Sequence, residues 1–267
     1  MITLSTLERP HQVPPRRPPG TVRIASLDLE WTKNYRIKNG NRPFCYSLTW
    51  IDLPSGVLDP AAVMFDWTSL YVESADEMGQ LIKQAGTAVQ RAFDGADLIV
   101  GHQLCADLAV LDAHHDHHRP RSVGPAREAW RRRRTPDAAD PAILDTRYDA
   151  GHLLTNPSRR LVDVCGELQL DVTQPELRGT SMTALHRRWL EKSDHEACER
   201  VSVLNLRHSL STALVAARAR GVSTWREPVN VNRVLAQRAE GAWTWLTSPT
   251  FTKLLTEDPC PSATASS

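Results

Sequence analysis

The chain carries little that would mark it for a membrane, for export or for a metal ribbon. No uninterrupted apolar run among its 267 residues approaches the roughly 20 that a membrane helix needs. Cysteine is sparse and unpatterned: Cys45, Cys105, Cys165, Cys198 and Cys260 include no C-x-x-C pair. An odd, scattered set argues against a zinc ribbon or a disulfide scaffold and for reduced thiols in a cytoplasmic protein. Net charge is only +1. No global field therefore draws the chain to a polyanion, and any nucleic-acid contact has to rest on local patches. The first residues lack the apolar centre of a signal peptide and run into Pro14-Pro15-Arg16-Arg17-Pro18-Pro19. There is no internal repeat. Apolar and charged fractions are ordinary, and the length suits one large domain, alone or with appendages.

Residues 1–20, rich in proline and arginine, read as a disordered arm. Val22 to Glu30 reads as a first strand, Phe44 to Ile51 as a second and Ala62 to Trp67 as a third. No helical pattern separates them, so they form an antiparallel meander, with Asn39-Gly40 as a hairpin signal in the first connection. Ser74 and Glu77 form a capping box before a helix reaching about Phe93. Asp97 to Val100 is a buried-type strand, Leu104 to about His114 a helix, and Ala142 to Thr146 a fifth strand. Alternation of strand and helix implies parallel pairing from there on. Residues 115–141 read as an excursion. Leu161–Leu170 is amphipathic, and Thr180–Leu190 is a further helix. A second capping box, Ser193 with Glu196, opens a long helix that runs to about Arg220 and stops at Gly221. Residues 222–267 read as a C-terminal extension with one helix, Asn232 to Trp245, and a disordered end. The fold class is α/β: a mixed five-stranded sheet, three antiparallel strands then parallel ones, with helices on both faces.

Asp28-Leu29-Glu30 closes the first strand. Alternation along a strand puts both carboxylates on one face. Such a pair repels itself unless a cation sits between, and hard divalent ions take oxygen ligands of this kind. A strand whose polar end dips into a solvated loop gives the same pattern. Basic residues form two local patches. Lys33, Arg36, Lys38 and Arg42 follow the carboxylate pair, and Arg131, Arg132, Arg133 and Arg134 stand beside Trp130. Either patch suits nucleic-acid phosphates, with Trp130 stacking on a base, and either suits a solvated loop. His114 and His118, spaced i,i+4, match a transition-metal pair or a solvated helix end.

Three segments line up: Asp28-Leu29-Glu30-Trp31, then Gly101-His102-Gln103-Leu104-Cys105-Ala106-Asp107, then Leu204 to Leu214 on the late helix. Their order and spacing resemble the DEDD superfamily of 3′→5′ exonucleases on a ribonuclease-H-like fold, and the D-x-E-W form is most similar to the ribonuclease D and Werner-type branch. Gln103 stands where the family has asparagine. The third motif departs further. The family's last carboxylate, four residues before a threonine, falls on His208, counting from Thr212. The tyrosine or histidine that orients the attacking water falls on Leu204 or Val203.

The resemblance implies two Mg2+ or Mn2+ ions flanking the scissile phosphate. Asp28 would bridge them, Glu30 would hold the nucleophile-side ion and Asp107 the second. His208 would serve as a ligand, as a general base or as neither. Trp31, Thr32 and Leu104 fall where the family contacts the terminal nucleotide, and His102 where it anchors a turn. The implied function is release of nucleoside monophosphates from nucleic-acid 3′ ends. An impaired exonuclease fold that binds nucleic acid or protein is the alternative. An unrelated small-phosphoester hydrolase fits less well, because the basic segments favour an extended anion.

Overall fold

The computed structural model describes residues 1–32, 40–113, 122–135 and 142–256. Strand β1 (Ile2–Ser5) comes from the arm expected to be disordered. It pairs antiparallel with a later strand, Ile2 opposite Tyr71 and Ser5 opposite Thr68. Part of the stretch that suggested disorder is tied down by one buried cation, and Arg17 pairs separately with Asp97. The Arg23 guanidinium donates to Asp52 at 2.8 Å and to the Pro14 and Arg16 carbonyls at 2.7 and 2.6 Å. Val13 stands against Gly95 so closely that a Cβ there would lie 2.5 Å from its methyl group. Composition registers how apolar a segment is, not which partners wait for its carbonyls.

Strand β2 (Thr21–Thr32) pairs antiparallel with β3 (Arg42–Pro54) in continuous register from Thr21–Pro54 to Glu30–Cys45, with an irregularity between Glu30 and Trp31. After β4 (Gly56–Val57), β5 (Phe65–Tyr71) returns antiparallel to β3. Helix α1 (Met78–Gly95) begins one residue after Glu77, and Ser74 makes no side-chain cap. Strand β6 (Leu98–Gly101) then pairs parallel with β2 over Ile24–Ser26. Helices α2 (Leu104–Ala113) and α3 (Val123–Arg132) lead to β7 (Ala142–Asp145), parallel to β6. The sheet has six strands rather than five, in the order β1-β5-β3-β2-β6-β7. The meander and the switch to parallel pairing are as the pattern predicted. The excursion read over 115–141 is corrected by α3, which buries Val123, Ala126 and Ala129 in the core.

Alternation sorts the sheet's two faces. Ala25, Leu27 and Leu29 pack with α1, α2 and α3. Ile24 and, beyond it, Ser26, Asp28 and Glu30 face the other way. Past α4 (Thr146–Asp149), α5 (Leu161–Glu167), β8 (Leu170–Asp171) and α6 (Met182–Lys192), helix α7 (His195–Ala219) lies across β2 and β3 on that second face. Its cap is Asp194, whose side chain accepts from the Ala197 N–H at 3.0 Å. Ser193 instead ends α6 in a left-handed conformation. From Val201 to Leu206 every α7 side chain is buried, as expected of a helix enclosed on all sides.

The C-terminal stretch is part of the same core rather than an extension. Strand β9 (Ser223–Thr224) pairs with β4, and β10 (Val229–Asn230) with β8. Trp225, Val231, Leu235, Trp243, Trp245 and Phe251 join Ile24 and Val100 in one cluster. Helix α8 (Val231–Arg238) stops well short of Trp245, because Gly241 turns the chain at φ 75°, and α9 (Pro249–Thr256) follows. Among the described residues no helix is long and apolar enough to cross a membrane.

Candidate functional site

Strand β6 covers the edge of β2 only as far as Ser26, so the following residues run past it into the open. Asp28 and Glu30 lie there, on the face that α7 crosses. From α7, His208 meets both: Nδ1 is 3.6 Å from Asp28 Oδ2 and 3.5 Å from Glu30 Oε1. One ligand-type atom from each of the three residues falls within 4.8 Å of the others. The side chains are 13 %, 20 % and 20 % exposed in the order Asp28, Glu30, His208, so the cluster is shielded yet reachable. An irregularity in the ladder directly after Glu30 fits the tendency of such features to re-aim side chains beside a site.

Burial disfavours a charged His208, but hydrogen bonds to Asp28 and Glu30 and their charges outweigh it and push its pKa up to about 10. The ring is therefore an imidazolium at neutral pH, a cation between the two carboxylates. The Gln174 amide nitrogen lies 3.0 Å from His208 Nε2. A doubly protonated ring has no lone pair for it, so the amide, whose two ends are isosteric, turns its oxygen there. Burial also raises Glu30, with His208 opposing and Asp28 adding to the rise.

Asp107, in the first turn of α2, is buried and stands outside the three-residue cluster. Burial, then the charges of Asp28, Glu30 and Asp145, hold its carboxyl well above the usual range. Asp107 is thus electrostatically part of the site.

The turn leading into α2 is braced from β7. His102 donates through Nε2 to the Arg159 carbonyl at 2.9 Å and accepts through Nδ1 from Thr146 Oγ1 at 2.9 Å. Buried Asp145 accepts from the Gln103 N–H at 2.8 Å and from Trp130 Nε1 at 2.9 Å. Gln103 itself has φ 68°, a left-handed conformation that asparagine tolerates better. Gly101 is required by the same turn, since a Cβ would lie 2.8 Å from that of Leu104.

The expected nucleic-acid contacts are dispersed. Trp31 is half-buried and packs on the core, Thr32 lies at the end of β2, and Leu104 is only 2 % exposed within the core. Trp130 is hydrogen-bonded to Asp145 rather than free to stack. Arg131 pairs with Glu128, while Arg133 and Arg134 both pair with Asp149. Arg133 is 8 % exposed and Arg134 68 %, so the four arginines do not form one solvent-facing run. Arg134 opens with Tyr148, His152 and Arg220 onto a groove by β7. Arg132 sits at the end of α3, and Arg42 is exposed at the start of β3. Lys33, Arg36, Lys38, His114 and His118 lie outside the described residues.

Sequence reasoning missed Asn205. It is buried on α7, and its Nδ2 donates to Asp28 Oδ2 at 2.6 Å and to the Asp28 carbonyl at 3.2 Å. Its spacing of three from His208 puts both on one helix face, a signal available before the fold was known. Gln174 had no such signal. Compared with known proteins, the chain matches no family model and no curated protein. Chemically, the cluster suits one cation: two carboxylate oxygens and an imidazole nitrogen converge within reach of a single ion.

Proposed function

We propose that this chain is a metal-dependent 3′→5′ exonuclease on a ribonuclease-H-like fold, hydrolysing phosphodiester bonds at nucleic-acid ends. The observation that carries the reading is the convergence of Asp28, Glu30 and His208 at the open end of β2, with Asp107 in electrostatic reach. Support also comes from placement. The carboxyl ends of parallel strands, here β6 and β7 beside β2, are where α/β sheets bind ligands. Asp28, Glu30 and His208 would hold Mg2+ or Mn2+, and the ion when bound lowers the pKa of a water and neutralises phosphate charge. The chain's own residues do the rest. Asn205 fixes the Asp28 carboxylate, Gln174 fixes the His208 ring, and the His102 and Asp145 brace sets the turn that delivers Asp107. His208, once deprotonated, offers Nδ1 either as a ligand or as a base.

A second reading is favoured by one observation: His208 Nδ1 already lies 3.6 and 3.5 Å from the two carboxylates, where its protonated ring would neutralise them without a metal. In that case the fold serves as a nucleic-acid-binding module. The discriminating assay uses 5′-labelled single-stranded DNA and RNA with Mg2+ or Mn2+. Shortening from the 3′ end, reduced by about 10²-fold or more in Asp28→Ala, is the expected result. An uncut strand that still shifts on a native gel overturns the exonuclease reading in favour of binding.

A further inference from the structure

The donor set differs from that of a two-ion carboxylate site at two atoms. Helix α7 presents His208 Nδ1, a nitrogen, to Asp28 and Glu30. It also presents the Asn205 amide, which donates to Asp28 Oδ2 at 2.6 Å. Neither residue adds negative charge. An oxygen that accepts an amide proton has less capacity left for metal, and Asp28 is the residue that would have to bridge two ions. Two carboxylates balance one divalent ion. A second would leave two positive charges uncompensated in a largely buried place, and Asp107 stands outside the cluster.

An independent feature points to a ligand at this spot. Ser47 sits directly opposite Asp28 in the β2–β3 ladder, on the same face. It is fully buried, and its hydroxyl has no hydrogen-bond partner; the same holds for Ser26, two residues before Asp28. Buried hydroxyls are seldom left unsatisfied. Water from the hydration shell of an ion held by Asp28 would supply the missing partner.

We infer that Asp28, Glu30 and His208 form a site for a single transition-metal ion of the Mn2+ to Zn2+ range, rather than for a pair of Mg2+ ions. Imidazole nitrogen suits these ions, whereas Mg2+ keeps to oxygen. The inference rests on the proposed metal dependence and narrows it to one ion and one class.

The test is binding, not turnover. The full chain, stripped of metal, is titrated with MnCl2 or MgCl2 by calorimetry, and bound Mn2+ is followed by electron paramagnetic resonance. One Mn2+ per chain is expected, at an affinity at least about tenfold above that for Mg2+. Asp28→Asn should abolish it, His208→Ala should weaken Mn2+ about tenfold or more, and Asn205→Asp should admit a second ion. Two ions per wild-type chain, or equal affinities for Mn2+ and Mg2+, would overturn the inference and leave the exonuclease reading standing. No binding of either ion up to about 10 mM would overturn both. The wild-type stoichiometry decides the matter even if a variant fails to fold.

Discussion

At the scale of single residues, Gln103 and Asn205 show how much depends on one side chain. The turn into α2 needs a left-handed residue, because the Gln103 N–H must reach Asp145 while Gly101 lets Leu104 close over it. Glutamine meets that need at a cost. Gln103→Asn is therefore expected to raise stability by about 0.5–1 kcal/mol, read as a higher urea midpoint at unchanged slope; a lower midpoint would show that the glutamine side chain earns its place. Asp28 and Glu30 were legible because strand alternation places them on one face without knowledge of the fold, whereas Asp107 and His208 were singled out only by the resemblance of their segments to the exonuclease motifs. Asn205 was missed, although its spacing of three from His208 was there to read. The burial of Leu104 was not legible, because a leucine on a helix carries no mark of which way it packs.

At the scale of elements, α7 and the segment before α6 are joined by a buried ion pair. Arg207, next to His208, donates to both oxygens of Glu176 at 2.7 Å, and neither side chain has any exposure. Arg207 also donates to Asn232 at 2.6 Å, and Trp245 Nε1 donates to Glu176 at 3.0 Å. The network binds α8 and the Trp245 turn to α7 and fixes the segment that carries Gln174, two residues before Glu176. Glu176→Ala would leave Arg207 charged and buried with no carboxylate. A loss of about 3–5 kcal/mol is expected, measured by chemical unfolding. A loss below about 1 kcal/mol, the usual worth of an exposed pair, would mean that water reaches the guanidinium. No spacing rule pairs Glu176 with Arg207. They are 31 positions apart, and the two halves of a charged pair carry no address in sequence.

At the scale of the whole molecule, two histidines, His11 and His186, are buried at separate points and a third, His102, is half-buried. His11, from the N-terminal arm, lies 3.1 Å from the Tyr46 hydroxyl. His186 stacks on Phe44 with ring centroids 4.0 Å apart, and His102 braces the α2 turn. Burial lowers each to about 4 from its ordinary value of 6.5. Between these values the unfolded chain takes up protons that the folded chain refuses. Their contribution to stability is thus fully present above pH 6.5 and is lost as pH falls toward 4, by about 1.4 kcal/mol per pH unit for each histidine. His208 works in the opposite direction: its contribution is full below pH 6.5 and fades as pH rises through about 10. Urea unfolding from pH 7 to 4.5 should show a steep fall, and a flat profile would place these rings in contact with water.

By itself, the sequence determined the strand and helix periods, the face on which Asp28 and Glu30 project, and the α/β order of antiparallel strands followed by parallel ones. These are local properties, set by backbone geometry and by alternation of apolar and polar side chains. Only the tertiary structure decided that the N-terminal arm adds a sixth strand, that residues 222–256 belong to the core, and that His208 and Asn205 converge on the β2 carboxylates with Gln174 against the His208 ring. Such outcomes depend on which distant groups complete one another's hydrogen bonds and charges. That complementarity exists only once the chain is folded.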